Sequence, residues 1–454
     1  MALTSGATAF TDLTVTNGAT IQGLTVGKGA GSVSTNTAVG NSVLASGSQT
    51  GTSNTAIGFG TLNANTSGTY NTAIGASCLQ NNTTANNNTG TGYQSLYTNS
   101  TGASNSAFGF QGLALNTTGS YNVAVGDSAL KNNTTASQST AVGYQALYNN
   151  TTGSMTAVGY QALTANTTGS DNVAVGWQSM AANTTGYEGI ALGNQTLYSN
   201  TSGQRNTAIG HNVLRSNSTG NDNCGVGWYA LRVTTGSSNT ALGSAAGNAI
   251  SSGTNNTVAG YGAGSSINTG ANNVCIGYTA GDNISSGTVN TCVGRNAIPN
   301  AATDVNETVI GGGFPFQGKG SNTAYIGGSS GAYNQANNSS WSTTSDQRLK
   351  KNIVDNTDGL DKILSVRVRN FEYRVEEEIT ELPISAVIKK EGVQLGVIAQ
   401  ELQAVLPDCV KEESSGVLSV QSDNLTWYFV NAIKELKALV DAQATEIAEL
   451  KAKL

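Results

Sequence analysis

A motif reading Asn-x-Ala-(Ile/Val)-Gly, or a close variant, ends at eighteen glycines from Gly40 to Gly327, at intervals of 16 to 18 residues. Repetition at a fixed period restricts a chain to stacked architectures, in which each unit contacts only its neighbours. A full unit, residues 139–154, reads Ser-Thr-Ala-Val-Gly-Tyr-Gln-Ala-Leu-Tyr-Asn-Asn-Thr-Thr-Gly-Ser. Its Thr-Ala-Val stretch suits one short strand, Tyr-Gln-Ala-Leu one helical or 3₁₀ turn, and Asn-Thr-Thr-Gly a tight turn with glycine available for positive φ. One unit has only Ala, Ile/Val and Leu to bury, too little to offset its backbone entropy, so like residues must stack in columns and the asparagines must form ladders. The expected fold is mainly β: a parallel β-roll or β-helix with about 17 residues per coil, rising roughly 4.8 Å per coil for a stack on the order of 85 Å.

Composition sets the limits of this repeat. Of 454 residues only 11% are charged, with 57 Gly and 4 Pro, unlike a charged disordered chain. Residues 1–344 hold 7 Lys/Arg and 8 Asp/Glu, whereas residues 345–454 hold 14 and 19. The chain therefore reads as an N-terminal attachment segment (1–30, with Leu13-Thr-Val15 and Leu24-Thr-Val26 as strand signals), a repeat shaft (31–330), a low-complexity linker (331–344), a small α+β domain (345–428) and a C-terminal coiled coil (429–454).

A net charge of −6 without a basic cluster argues against nucleic acid as a partner. The start lacks a cationic and apolar leader, and nowhere do 18 apolar residues run together, so synthesis in the cytoplasm without membrane insertion is expected. Five Cys and the single His211 offer no metal-ligand spacing, and no cofactor is expected. Cys78, Cys275 and Cys292 stand where other repeats have Ala and read as small buried residues.

Two columns of the shaft carry candidate chemistry. Asp171, Glu188, Arg205 and Asp222 occupy one position of four successive coils. Stacking would bring Asp171 and Glu188 to about 5 Å, the separation of a retaining glycosidase pair; a surface ladder relieved by Arg205 is the preferred reading. After the motif glycine, Phe59, Tyr93, Phe110, Tyr144, Tyr160, Trp177, His211, Trp228, Tyr261 and Tyr278 form an aromatic column. Packing between coils or chains is its preferred reading, His211 included; the alternative is a glycan-reading strip in which Trp177, Trp228, Tyr144 and Tyr160 are the candidates. Residues 313–320 nearly spell a P-loop, but Gly320 stands where Ser or Thr must hold Mg²⁺.

The shaft repeat resembles the head repeats of trimeric autotransporter adhesins and of bacteriophage tail fibres over residues 31–330. At residue 345 the text changes to Ser345-Asp346-Gln347-Arg348-Leu349-Lys350-Lys351-Asn352-Ile353, followed later by Gly396-Val397-Ile398-Ala399-Gln400-Glu401-Leu402-Gln403-Ala404-Val405-Leu406-Pro407. Together these are similar to the intramolecular chaperone domain of phage tailspikes and tail fibres, the S74 peptidase family. That resemblance implies a homotrimer and a domain that templates the β-structure, then cuts itself off between Thr344 and Ser345 with a Ser345–Lys350 dyad. Ser345 Oγ would attack the preceding carbonyl in an N-to-O acyl shift, and water would hydrolyse the ester; Lys350 would serve as base if burial kept it neutral, with Lys351 its chemical rival.

Asp346 reads as orienting the site or, preferably, as capping the next turn; Gln400 and Glu401 match the second motif and read as a helix face. Ile433, Leu436, Val440, Gln443, Ile447, Leu450 and Leu454 alternate at spacings of three and four, a coiled-coil seam whose residue types favour dimers although the family is trimeric. The whole points to a virion tail fibre, assembled in the host cytoplasm, attached to a baseplate or adjacent tail protein by its N-terminus and binding a host surface glycan or protein. A tailspike depolymerase using Asp171 and Glu188 is the alternative. A cellular adhesin would require export.

Overall fold

Each Thr-Ala-Ile-like segment becomes one short strand because alternation puts its central alanine inward and its flanking residues outward. A computed structural model describes residues 19–21, 24–313, 316–327, 346–382, 388, 390–412 and 416–453, and the chain forms two compact units, 1–288 and 289–454.

In the first unit, strands from Thr37–Gly40 to Val274–Ile276 pair in parallel, coil on coil, with like residue opposite like. Thr140, Ala141 and Val142, for example, face Thr156, Ala157 and Val158. The expected parallel β-solenoid is thus the fold. Leu24–Gly27 is a strand, as expected, but it runs antiparallel to Thr37–Gly40 and pairs with Ala19–Ile21 on its other edge; Leu13 to Val15 lie outside the described residues.

Two columns fill the interior. One is the strand alanine, fully buried from Ala38 to Ala241 with Gly90 and Gly225 in two coils, and the other is a leucine, buried from Leu44 to Leu231 with Met180 in one coil. The expected helical turn is absent. In Tyr-Gln-Ala-Leu, which suits one helical or 3₁₀ turn by sequence, Gln145 and Leu147 have φ of 53° and 51°. This alternating left-handed backbone turns the chain sharply enough to aim each leucine inward, and packing offsets the conformational cost.

The glycines also differ from expectation. The turn glycines are not the positive-φ residues; Ser104, Tyr121 and Asp171, two positions later, are. The motif glycines do take positive φ, and a Cβ at Gly75 (φ 128°) would lie 2.6 Å from the Gly92 carbonyl oxygen, so only glycine lets adjacent coils approach.

Buried asparagines pair the turns as expected. The Asn54 side-chain carbonyl accepts from the Asn71 backbone N–H at 3.0 Å, while Asn54 Nδ2 donates to the Gly68 carbonyl at 2.9 Å. A second column repeats this side chain to side chain, Asn82 Nδ2 donating to Asn65 Oδ1 at 2.9 Å and to the Ala85 carbonyl at 3.1 Å. These bonds satisfy backbone groups that burial would otherwise orphan.

Departures from the repeat come in matched sizes. Val213 is paired with Gly225, where a Cβ would lie 2.6 Å from Val213 Cγ1; Cys78 is paired with Gly90 at 2.5 Å from its sulfur, and Met180 with Gly189 at 2.9 Å from its terminal methyl. After Leu231 the exchange is wholesale. The leucine column becomes Gly247, Gly264 and Gly281, and three residues on the asparagine column becomes Ile250, Ile267 and Ile284, whose side chains fill the vacated space. Interiors pack at crystal-like density, so a wide residue in one coil requires a narrow one in the next.

The second unit contains parallel strands Thr291–Val293, Thr308–Ile310 and Ala324–Ile326. Toward its C-terminus lie helices α1 (Leu360–Ser365), α2 (Ala399–Val405) and α3 (Ser422–Ala452), with hairpin pairings Arg369–Phe371 to Gln394–Gly396 and Val410–Glu412 to Leu418–Val420. Leu402, Leu406, Cys409 and Tyr428 form its buried core, with Ile363, Val366 and Leu425 against it.

Two substitutions test this packing. Leu147→Ala empties a fully buried site and should cost about 2–5 kcal/mol; an unchanged thermal midpoint would show that the column does not hold the stack. Gly225→Ala alone should destabilise by about 1–3 kcal/mol through overpacking, whereas in the Val213→Ala background most of that loss should disappear; additive losses in denaturant titrations would refute size matching.

Candidate functional site

The segment that follows the linker starts with a polar cap. Asp346 accepts the Arg348 backbone N–H at 2.8 Å and pairs with the Arg348 guanidinium at 2.6 Å, which holds its carboxyl below the usual carboxylate range. Asp346 therefore caps the 3₁₀ turn Gln347–Leu349, the preferred of its two expected roles. Thr344 and Ser345 lie outside the described residues. Lys350 follows the turn and is exposed, as is Lys351.

Glu401 on α2 is half-buried and receives Arg369 in a two-point contact, Nη2 to Oε1 at 2.7 Å and Nε to Oε2 at 3.1 Å, with Arg367 at 3.5 Å. Hydrogen bonding from Arg369 holds the Glu401 carboxyl below its usual range against the opposing effect of burial, and the charges of Arg369 and Arg367 lower it further by smaller amounts. Glu401 thus ties α2 to strand Arg369–Phe371, while Gln400 beside it is exposed. The sequence reading placed Glu401 on a helix face but missed its partner; the Arg367-x-Arg369 alternation leading into a strand was the available signal.

Another link missed from sequence is Tyr428, whose hydroxyl donates to Asp408 at 2.8 Å, while Asn424 Nδ2 donates to the Asp408 carbonyl at 2.6 Å. These contacts fix the start of α3 on the turn Pro407–Cys409. Burial, then the Asp408 charge, pushes the Cys409 thiol up. Farther along α3, Ile433, Leu436, Val440, Ile447 and Leu450 are all exposed on this chain, and Phe429 extends the same three-four spacing one step N-terminally. The helix is continuous; its apolar seam has no partner within the chain's described residues.

On the shaft, Asp171 and Glu188 are exposed at left-handed turn positions of adjacent coils, with the Glu188 N–H donating to the Ser170 carbonyl. Arg205 reaches Asp222 rather than Glu188, Nε to Oδ1 at 2.7 Å and Nη2 to Oδ2 at 3.0 Å. The charged column is a surface ladder, with the relief displaced by one coil.

The aromatic column is partly exposed on the single chain. Phe59, Tyr93, Phe110, Tyr144, Tyr160, Trp177, Trp228, Tyr261 and Tyr278 are between 41% and 62% exposed, and His211 is exposed too. They pack all the same, coil on coil: Tyr144 and Tyr160 have centroids 5.2 Å apart at 16°, and Tyr93 and Phe110 5.4 Å apart at 17°. Within these pairs each ring covers one face of the next and leaves edges outward.

The P-loop-like stretch is structural. Phe316–Gln317 is a strand paired with Ala297–Ile298, and the Gly320 N–H donates to Glu307 at 2.6 Å. Glu307 is fully buried in the column that asparagine holds elsewhere, and it also accepts the Asn300 N–H at 3.0 Å. A carboxylate takes the backbone donor that a phosphate would need.

The cysteines behave as small core residues. Cys78, Cys275 and Cys292 are fully buried, and burial pushes the Cys78 thiol up to about 12. No helix among the described residues is long and apolar enough to cross a membrane.

A β-solenoid of near-identical coils thus precedes a small domain bound together by Arg369–Glu401 and Tyr428–Asp408, and residues 345–411 of that domain match the family model Peptidase_S74, the chaperone of endosialidase.

Proposed function

We propose that the protein is a trimeric bacteriophage tail fibre or tailspike shaft, a virion component that contacts the host surface and carries its own removable assembly chaperone. The observation that carries this reading is the succession of a β-solenoid and a chaperone-of-endosialidase segment in one chain. Trimer formation follows from the family and has physical support on both parts. In the shaft, the outward strand residues Ile57, Ile74, Phe108, Val125, Ile209 and Leu242 lie in one column and are each 38–47% exposed. A continuous apolar sheet face is an aggregation hazard unless another chain covers it. In the C-terminal domain, the uncovered seam of α3 has coiled-coil spacing.

The chaperone addresses a folding problem set by the repeat. Parallel pairing of distant, near-identical segments is slow, and a chain can slip by one coil. A trimeric clamp raises the effective concentration of neighbouring chains. Its removal leaves the assembled shaft held by a kinetic barrier.

Self-removal is assigned to Ser345 as nucleophile on the Thr344 carbonyl and to Lys350 as base. A lysine accepts a proton only in its neutral form, which burial favours. Lys350 is exposed on the single chain, so in this reading the cover comes from a neighbouring chain and cleavage follows assembly. The N-terminal attachment to a baseplate or adjacent tail protein belongs to the same proposal. The depolymerase alternative is weaker, because Asp171 and Glu188 are open to solvent on a turn column.

Denaturing electrophoresis with intact-mass measurement tests the processing step. Wild type should give fragments 1–344 and 345–454, Ser345→Ala and Lys350→Gln only full-length chain, and Lys351→Gln the wild-type pattern. Identical full-length species in wild type and Ser345→Ala would refute self-cleavage while leaving the assembly role standing.

A further inference from the structure

The surface of the shaft is repetitive almost everywhere, and one stretch departs from it in three ways at once. Strands Thr207–His211 and Cys224–Trp228 are five residues long where most strands of the ladder have three, which adds the pairs Gly210↔Gly227 and His211↔Trp228. The glutamine ladder, in which Gln161 bonds Gln145, Gln178 bonds Gln161 and Gln195 bonds Gln178 at 3.1 Å each, ends there: Asn212 and Tyr229 take the next places, and Arg215 Nε donates to Gln195 Oε1 at 3.2 Å. Three of the seven Lys/Arg of residues 1–344 fall here, Arg205, Arg215 and Arg232.

Arg205 is neutralised by Asp222. Arg215 and Arg232 are not matched by a carboxylate among the described residues. They occupy the same column of adjacent coils, since the Ser199 N–H donates to the Arg215 carbonyl and the Ser216 N–H to the Arg232 carbonyl. Adjacent coils are about 4.8 Å apart, so two like charges stand side by side. What holds them is aromatic: the Arg215 guanidinium lies 5.3 Å from the Tyr198 ring centre and that of Arg232 lies 4.8 Å from Tyr229. Tyr229 stacks on Trp228 at 3.9 Å, and His211 lies 6.5 Å from Trp228 on the preceding coil. Trp228 is 52% exposed.

We infer that His211, Trp228, Tyr229, Arg215 and Arg232 form a binding site for an anionic saccharide, which deepens the host-surface reading above and rests on it. An indole held at the surface offers an apolar face to the C–H side of a pyranose ring. Guanidinium forks accept a carboxylate or phosphate in two-point contacts, and an anion placed across Arg215 and Arg232 removes their mutual repulsion. Coil stacking does not call for these residues, because other coils stack with pairs as different as Tyr144-Gln145, Asp127-Ser128 and Ser244-Ala245 at the positions of His211-Asn212 and Trp228-Tyr229. A polynucleotide is a poorer fit to a chain of net charge −6 with only two unmatched cations here.

The test uses the full chain in its assembled state on an array of oligogalacturonate, sialylated and phosphorylated oligosaccharides beside neutral maltohexaose, with inorganic phosphate as competitor. The expected result is retention of at least one acidic oligosaccharide and not of maltohexaose. Binding should fall at least tenfold in Arg215→Gln/Arg232→Gln and in Trp228→Ala, and by less in Arg215→Lys/Arg232→Lys. Arg205→Gln, which removes a charge outside the patch, should bind as wild type, and unchanged melting temperatures show that the variants fold. Equal binding by the double Gln variant, preference for maltohexaose, displacement by phosphate alone at low millimolar concentration, or no binding to any acidic oligosaccharide would overturn the site. The host-surface reading falls separately, when labelled wild-type protein also fails to adhere to a panel of whole bacteria.

Discussion

Everything in the shaft depends on how closely one coil can approach the next. The motif glycines set that distance: their positive φ and missing Cβ let the carbonyl of the following coil's glycine sit where a side chain would otherwise be. At that spacing the strand ladder closes, and the Asn54–Asn71 and Asn65–Asn82 contacts come within hydrogen-bond range. The interior then needs only one alanine and one leucine per coil. The shaft is therefore held by many small, identical interactions between neighbours, with no central core to organise it.

Such an arrangement specifies spacing well and position poorly. Every consensus coil offers the next the same surface, so a displacement by one repeat keeps most hydrogen bonds. The size-matched departures, Val213 with Gly225, Cys78 with Gly90 and Met180 with Gly189, are the features a slipped chain would violate. They distinguish particular coils, as does the change from Leu/Asn to Gly/Ile at Gly247 and Ile250. In the proposed assembly, the remaining control is assigned to the C-terminal segment that matches the chaperone model, acting on chains before the ladders lock.

The same economy explains where chemistry concentrates. Most surface columns repeat Thr, Ser, Asn and Gln, which serve stacking. Four charged exceptions gather in residues 205–232, and the matched pair Arg205–Asp222 beside the unmatched Arg215 and Arg232 shows that charge there is arranged and not simply tolerated. In the C-terminal domain, charge instead stitches elements together, as Arg369 does for Glu401 and Asp408 for Tyr428.

The period of the glycine motif alone determined the parallel solenoid, its inward alanines and its asparagine ladders, because any chain repeating so few apolar residues must bury them by stacking like on like. The motif Ser345-Asp346-Gln347-Arg348-Leu349-Lys350 likewise marked the chaperone segment from sequence. Tertiary structure decided what depends on direction in space. The Gln145 and Leu147 backbone is left-handed and not helical, since aiming leucine inward outweighs local preference. The aromatic rings stack yet stay exposed, since nearly all of them sit on the outer turn that follows a strand. Arg369 finds Glu401 across 32 residues, a distance that no local pattern spans.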